Sequence, residues 1–158
     1  MRQPPRRSAQ SAGLLVYRQR DGKLEVLLVH PGGPFWQKRD EGVWSIPKGE
    51  FEENEVGIEV ARREFREELG AAPPNGDVTP LGEVRQAGGK TVHAWALPGD
   101  LDVTTTTSNT FEIEWPPRSG KIQTYPEVDR AAWFDLDTAR RKVLPAQRTF
   151  IDRLEAQR

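Results

Sequence analysis

Residues 49–71, with the sequence GEFEENEVGIEVARREFREELGA, decide how the rest of the chain is interpreted. Read as a helix over about residues 55–69, this stretch places Glu64, Glu67 and Glu68 at positions i, i+3 and i+4 on one helical face. Carboxylates this close repel one another, so a fold that keeps them together needs a counter-charge. The simplest counter-charge is a hard divalent cation that takes oxygen ligands, either Mg²⁺ or Mn²⁺.

The predicted helix has recognisable ends and an apolar face. Asn54 is the expected N-cap, and Gly70 is the expected C-terminal stop. Apolar residues recur every three or four positions and should face the core. They are Ile58, Ala61, Phe65 and Leu69. Because the carboxylates lie beside this apolar stripe, we expect them to line a groove against a sheet.

The spacing of the fixed positions resembles the signature of the Nudix hydrolase family. That signature is a glycine, a glutamate after five residues and, after seven more, the run R-E-Φ-x-E-E-x-G-Φ, in which Φ is apolar. Gly49, Glu55 and residues 63–70 fill these positions, and Ala71 is a weak match to the last one. The alternative interpretation is an ordinary solvated acidic helix, but seven specified positions rarely coincide by chance.

The resemblance implies an α/β fold, namely a Nudix-type α/β/α sandwich with a mixed central sheet, in a single domain over residues 10–158. It also implies a hydrolase that cleaves a pyrophosphate bond in a nucleoside diphosphate linked to another group, with Mg²⁺ or Mn²⁺ as cofactor. The implied metal ligands are the carboxylates of Glu64, Glu67 and Glu68 and the main-chain carbonyl of Lys48.

The motif does not identify the catalytic base. Glu64 is one candidate, but in many relatives a later loop supplies the base, which makes Glu112, Glu114 and Glu127 further candidates. We prefer Glu127 among the three. Arg63 completes the catalytic set, and we expect it to organise the helix and its preceding loop through a neighbouring glutamate rather than to touch substrate.

Three residues outside the helix are candidates for contacting the substrate. Trp36 lies in a Gly/Pro-rich loop, residues 31–43, where an aromatic ring can stack on a nucleobase or simply cover the core. Covering the core is what we expect of Trp44. The Lys48 ammonium can contact a phosphate. His30 ends a strand and can contact a phosphate or act as a structural hydrogen-bonding residue.

Outside the motif, the pattern predicts strands followed by two helices. Strands are expected at residues 11–17, 24–30, 80–86, 90–97 and 111–115. Helices are expected at residues 137–142 and 145–156, and a long loop at residues 116–124. The first two strands are joined through Asp21-Gly22 and are apolar enough to be central in the sheet.

Composition limits the function further. A chain of 158 residues fits one domain, preceded here by an expected flexible tail at residues 1–9. The net charge of −1 suggests neither a nucleic-acid partner nor an anionic membrane, and the absence of cysteine excludes disulfides. We expect a soluble, cytoplasmic protein with a nucleotide-type small-molecule substrate. Since some relatives are homodimers, that state is left open.

The motif does not select one substrate either. The segment from Pro47 to Glu50 is similar to that of relatives acting on dinucleoside polyphosphates, so these compounds and NTPs are the leading expectation. Hydrolysis of ADP-ribose, nucleotide sugars or diphosphoinositols is the alternative within enzymes. A non-catalytic nucleotide-sensing Nudix module is the alternative outside them.

Overall fold

A six-stranded mixed sheet lies at the centre of the protein in the computed structural model, which describes residues 9–158. The strands are β1 (Gln10–Arg20), β2 (Lys23–Pro31), β3 (Lys48–Phe51), β4 (Thr79–Arg85), β5 (Thr91–Pro98), β6 (Thr110–Glu114), β7 (Ile122–Pro126) and β8 (Val128–Asp135). The helices are α1 (Gly57–Leu69), α2 (Leu136–Lys142) and α3 (Arg148–Ala156), with short 3-10 turns at Val103–Thr105 and Pro145–Gln147.

The strand order in the central sheet is β4-β5-β1-β2-β8, and β3 also pairs with β1. The β1–β5 pair is parallel and the other pairs are antiparallel. Asp21 and Gly22 join β1 to β2 with positive φ angles of 53° and 78°, as a tight hairpin turn requires. The predicted central hairpin is confirmed, because the middle residues of both strands are buried.

Both faces of the sheet are covered, which confirms the predicted α/β/α sandwich. Alternation along β5 shows the division, since Val92, Ala94 and Ala96 pack into the core beneath α2 and α3. Trp95 and Leu97 pack into the other core, beneath α1. The Nudix-type fold expected from the motif is therefore the fold of the described residues.

Helix α1 begins later than predicted, and the expected N-cap is wrong. The N-cap is Val56, with no side-chain hydrogen bond, and not Asn54. The reason is a separate turn before the helix, in which the Glu55 N–H donates to the Glu52 carbonyl and the Glu55 carboxylate accepts from the Glu52 N–H, both at 3.0 Å. This reciprocal pair closes the turn and delays the helix. Gly70 ends it in the left-handed conformation, with φ 68°, as predicted.

One other local prediction needs correction. The predicted long loop at residues 116–124 is wrong at its end, because β7 pairs with β6 to form a separate two-stranded sheet. Around Trp44 the backbone forms two isolated bridges, Val29 to Ser45 and Trp44 to Val143, and no strand. The Trp44 ring is buried in the core, as expected. The pattern missed β7 because its residues are largely exposed and carry no clear alternation.

Ala9 is the first residue of the chain that the structure describes. Residues 1–8 of the predicted tail lie outside the described residues, and the carbonyl of Ala9 accepts a hydrogen bond from the Thr91 N–H at 3.0 Å. Within residues 9–158, no helix is long and apolar enough to cross a membrane.

A buried glutamine connects the 3-10 turn that precedes α3 to the segment that leads into β3. Gln147 has no exposed surface, and its side-chain oxygen Oε1 accepts a hydrogen bond from the Ile46 N–H at 3.0 Å. Its amide nitrogen donates to Ser45 Oγ at 3.0 Å and to Gln86 Oε1 at 2.8 Å. One buried side chain thus satisfies three polar groups from two segments of the chain.

We expect Gln147→Ala to lower the free energy of unfolding by about 1–3 kcal/mol, because the Ile46 N–H would be left buried without an acceptor. Urea denaturation measures this change. Gln157→Ala is the matched control, since Gln157 makes only an exposed contact with the Pro80 carbonyl. Equal effects of the two substitutions would contradict the structural role given to Gln147.

Candidate active site

The first part of the candidate site is a close approach between β3 and α1 at Gly49. A Cβ atom built on Gly49 would lie 2.0 Å from the carboxyl carbon of Glu64 and 2.3–2.4 Å from its oxygens. Any side chain at position 49 would therefore displace that carboxylate. The glycine at the start of the motif is required because the helix presses Glu64 directly against the strand.

The second part is the group of glutamates on α1. Burial raises the pKa of Glu68 to about 8, although the Lys48 N–H donates to its carboxylate at 3.3 Å and opposes this shift. Burial, and next the charge of Glu67, raise the pKa of Glu64. The negative charge of this group is thus poorly compensated by the protein itself.

Lys48 lies at the start of β3, beside Glu68. Its side chain is half-buried, and this burial, followed by the charge of Lys90, lowers the pKa of its ammonium. Lys90 is itself occupied, because it pairs with Glu50 at 2.8 Å. The charges of Glu68, Glu50 and Glu64 act in the opposite direction and partly offset this lowering of the Lys48 pKa.

Arg63 links the turn before α1 to the helix. Its guanidinium donates to Glu55 at 3.0 Å and lies 3.7 Å from Glu64. Glu55 in turn closes the turn with Glu52. Arg63 is about half exposed and makes these contacts along the helix surface, which is the geometry of a residue that orients the glutamates.

A groove of about 240 Å³ opens beside these groups and brings distant parts of the chain together. Its polar lining includes Lys48, Glu68 and Glu127, and its remaining lining is mostly apolar. The apolar part consists of Val29, Pro31, Trp36, Val43, Ile46, Val128 and Leu144. Glu127 follows β7 and lies close enough for its charge to act on both Glu64 and Glu68.

The other candidate bases lie elsewhere. Glu112 and Glu114 are exposed on β6, in the separate two-stranded sheet, and neither lines the groove. Glu127 is the candidate from the later part of the chain that the structure places beside the carboxylate helix. Glu127 lies in the turn between β7 and β8, and the sequence alone does not show that this turn comes close to α1.

His30 does not face this groove with a free nitrogen. Its ring is fully buried, with Nδ1 2.8 Å from the Asp129 carboxylate and Nε2 2.6 Å from the Arg39 carbonyl. A phosphate could reach the ring only by breaking these contacts. These contacts tie β2 to β8 and to the loop that carries Trp36, and they favour the structural one of the two roles left open for His30.

Sequence reasoning missed much of the apolar side of the groove. Val29 and Pro31 end β2, and their alternation around His30 is a signal that could have placed them on one face. Leu144 has no such signal, because the contact that holds it there, the 2.8 Å bond from the Leu144 N–H to the Trp44 carbonyl, joins residues that are far apart in the sequence.

A family model for the NUDIX domain matches residues 7–154 of the chain. The chain belongs to the Nudix family. Nudix domains are generally pyrophosphohydrolases that use divalent metal ions, although some members are regulators. No curated protein sequence matches this chain significantly.

Solved structures place this Nudix fold among diverse relatives. A binary complex of a C. elegans Ap4A hydrolase is 22% identical, with a TM-score of 0.63 over 94% of this chain and 96% of that one. The NUDIX domain of Shewanella oneidensis NrtR, complexed with ADP ribose, is 16% identical, with a TM-score of 0.63 over 96% and 89%. The C-terminal domain of mouse MUTYH, in complex with human PCNA, is 20% identical, with a TM-score of 0.61 over 96% and 90%. Identities this low show a shared fold.

The donor chemistry of the Nudix motif fits a divalent metal ion. Carboxylate and main-chain carbonyl oxygens are the ligands that Mg²⁺ and Mn²⁺ prefer, and burial of Glu68 leaves a carboxyl whose ionised form needs a cation. In residues 9–158, no three acidic or histidine side chains already converge as a formed metal site. Ion binding would therefore have to draw the carboxylates of α1 together.

The raised pKa of Glu68 predicts how stability depends on pH when metal is removed by a chelator. Its pKa is about 8 in the folded protein, against the ordinary 4.5, so the folded state holds the proton more tightly than the unfolded state. The stability from this proton is fully present below the ordinary pKa and is lost as the pH rises through about 8. We expect the urea midpoint to fall over this range, and to fall less in Glu68→Gln.

Glu59→Gln is the matched control for this measurement, because Glu59 lies exposed in the first turn of the same helix. That variant should keep the pH dependence of the unsubstituted protein. An equally steep fall in Glu68→Gln would show that the pH dependence comes from other groups.

Proposed function

We propose that this Nudix protein is a metal-dependent pyrophosphohydrolase that cleaves a nucleoside diphosphate linked to another group. The observation that carries the proposal is that Lys48, Glu68 and Glu127 line one groove, while Glu64 lies close enough for the charges of Glu67 and Glu127 to act on it. A diphosphate carries several negative charges, so acidic residues beside its binding site are favourable only if a cation is bound between them.

The two sides of the groove suit the two parts of a nucleotide. Trp36 and the apolar residues Val29 and Pro31 offer a surface for a base, whereas Lys48 and the glutamates lie where the diphosphate would bind. Trp36 is 36% exposed, so its ring is accessible for stacking. This division favours a nucleotide over a simple inorganic diphosphate.

In this proposal, Glu64, Glu67, Glu68 and the Lys48 carbonyl hold the metal ion, Mg²⁺ or Mn²⁺. When bound, such an ion neutralises the charge of the diphosphate and acidifies the attacking water. Glu127 accepts a proton from that water as general base, because it lies beside the groove and outside the helix. The Lys48 ammonium binds a phosphate oxygen of the substrate.

Arg63 acts on the reaction through the glutamates. Its bond to Glu55 fixes the turn before α1, and its approach to Glu64 orients that carboxylate from the solvent side. Because its guanidinium is occupied along the helix surface and is not among the groove-lining residues, we do not assign it a substrate contact.

Dinucleoside polyphosphates or NTPs are the substrates we favour. The segment from Pro47 to Glu50 supports this choice through its resemblance to relatives acting on dinucleoside polyphosphates, and one structural neighbour is an Ap4A hydrolase. ADP-ribose or nucleotide sugars are the second choice, since another neighbour is complexed with ADP ribose. A sensing module without hydrolysis is disfavoured, because binding alone does not need the complete set of carboxylates that this chain retains.

The substrate is identified by incubating the protein with Mg²⁺ and a panel of compounds in ¹⁸O-labelled water, followed by mass spectrometry of the products. The panel contains dinucleoside polyphosphates, NTPs, ADP-ribose, nucleotide sugars and diphosphoinositols. Label in a cleaved phosphate product supports hydrolysis and shows which phosphorus is attacked. Binding of a panel nucleotide without any metal-dependent cleavage would support the sensing module.

Replacing either of two motif carboxylates should abolish turnover. We expect Glu67→Gln and Glu68→Gln each to lower kcat by roughly three orders of magnitude or more, since each removes a metal ligand, while the protein stays folded. Kinetics on the best panel substrate, together with circular dichroism, measure both effects. Glu59→Gln is the matched control, because it makes the same change of charge on the same helix. It should retain the fold and normal turnover.

Near-normal turnover of Glu67→Gln or Glu68→Gln under Mg²⁺ would contradict the proposed metal site. Loss of turnover in Glu59→Gln as well would show that the effect is one of helix charge and not of metal binding.

Removing the Trp36 ring should weaken substrate binding more than it slows the reaction. Stacking on one base contributes roughly 1–3 kcal/mol, so Trp36→Ala should raise KM by about 5- to 150-fold with little change in kcat. Phe35→Ala is the matched control, because that ring packs against Trp115 at 5.0 Å and does not line the groove. Equal KM values for Trp36→Ala and the unsubstituted protein would remove Trp36 from the substrate site.

A further inference from the structure

Residues 107–109 lie against the C-terminal end of α1. The carbonyls of the last helical turn have no partner within the helix. The Thr107 N–H donates to the Leu69 carbonyl at 3.1 Å, and the Asn109 N–H donates to the Glu67 carbonyl at 2.8 Å. This short segment therefore caps the helix that carries the motif carboxylates, and one of its bonds is to the main chain of Glu67 itself.

The same residues hold the turn that carries Glu127. The Glu127 N–H donates to the Asn109 carbonyl at 2.8 Å, and the Val128 N–H donates to Ser108 Oγ at 3.0 Å. The Ser108 hydroxyl also donates to the Asn109 carbonyl at 2.5 Å. On the other side, the Glu127 carbonyl accepts from the Gly32 N–H at 2.9 Å. Both main-chain polar groups of Glu127 are thereby occupied.

Close packing limits movement at both ends of these contacts. A Cβ atom on Gly70 would lie 2.3 Å from Thr107 Oγ1 and 2.4 Å from its carbonyl oxygen. A Cβ atom on Gly32 would lie 1.9 Å from the Pro126 carbonyl oxygen. Residues 107–109 are thus pressed against the helix end, and the Glu127 turn is pressed against the strand end at Gly32.

We propose that residues 107–109 form a brace that fixes Glu127 relative to the carboxylates of α1, and that Ser108 is the positioning residue of this brace. Only Asn109 separates the main chain of Glu67 from that of Glu127, although the two glutamates are far apart in the sequence. Ser108 is the residue whose side chain completes the connection, because its hydroxyl accepts from the Val128 N–H and donates to the Asn109 carbonyl that also accepts from the Glu127 N–H.

The physical reason is the geometric demand of general base catalysis. A base must lie within hydrogen-bond reach of the proton it accepts, and a displacement of about 1 Å can cost up to about 100-fold in rate. Neither the Ser108 hydroxyl nor the Asn109 carbonyl lines the groove, so the brace acts through Glu127 and not on the substrate. This inference rests on the proposed role of Glu127.

The first test is kinetic and uses the full chain with Mg²⁺ and the best panel substrate. Ser108→Ala should lower kcat by about 10- to 100-fold with KM changed by less than about twofold. Ser108→Thr keeps the hydroxyl and should retain most of the turnover. Ser119→Ala is the matched control, because Ser119 accepts from the Lys121 N–H at 3.1 Å in the turn between β6 and β7. Unchanged kcat in Ser108→Ala would overturn the proposal.

The second test asks whether Ser108 acts through Glu127. In the Glu127→Gln background, Ser108→Ala should cause little further loss, because the group that it positions is already inactive. Losses that multiply in the double variant would overturn the positioning role, since Ser108 would then act by another route.

Hydrogen exchange separates a failure of the brace from a failure of the proposed function. Ser108→Ala should speed exchange at the Glu127 and Val128 amides, and Ser119→Ala should not. Normal turnover of Glu127→Gln would contradict the base role of Glu127. The brace as a structural element would then be supported by faster exchange and overturned by unchanged exchange.

Discussion

Repulsion among partly buried carboxylates is the constraint on which the rest of this structure depends. Helix α1 presents Glu64, Glu67 and Glu68 on one face, and Gly49 lets β3 approach so closely that the Glu64 carboxylate rests on the strand. Burial then raises the pKa of both Glu64 and Glu68. In the proposed function, a cation bound beside the groove offsets this charge and serves a diphosphate substrate.

The surrounding fold converts this local arrangement into a site. The parallel β1–β5 pair and the antiparallel β1–β3 pair hold the strand of Gly49 beneath the helix, while the ends of β2 and β7 supply the facing side of the groove. Residues 107–109 connect the helix to that facing side by main-chain bonds, so the two halves of the site are not free to move independently. Gln147 and His30 serve the same end from within the core, since each ties a site-forming segment to a distant strand or turn.

The differences from expectation arise where a specific contact overrides a local pattern. Asn54 has the right chemistry for an N-cap, but the reciprocal bonds of Glu52 and Glu55 close a turn first. β7 has a polar, exposed sequence and exists because β6 lies beside it. The sequence left His30 with two roles, a phosphate contact or a structural one, and its contacts with Asp129 and the Arg39 carbonyl favour the structural one. In the last two cases the deciding partner lies outside the local sequence.

Sequence alone therefore determined the carboxylate helix, its glycine end, the two-faced sheet and the family, because these follow from periodicity, spacing and residue chemistry within one segment. The tertiary structure alone decided that Glu127, and not Glu112 or Glu114, lies beside that helix, and that Trp36 and Leu144 share a groove with Lys48. The physical reason is that spacing along a chain specifies which residues share the face of one element, whereas proximity between elements depends on how their apolar faces pack and on where each turn ends.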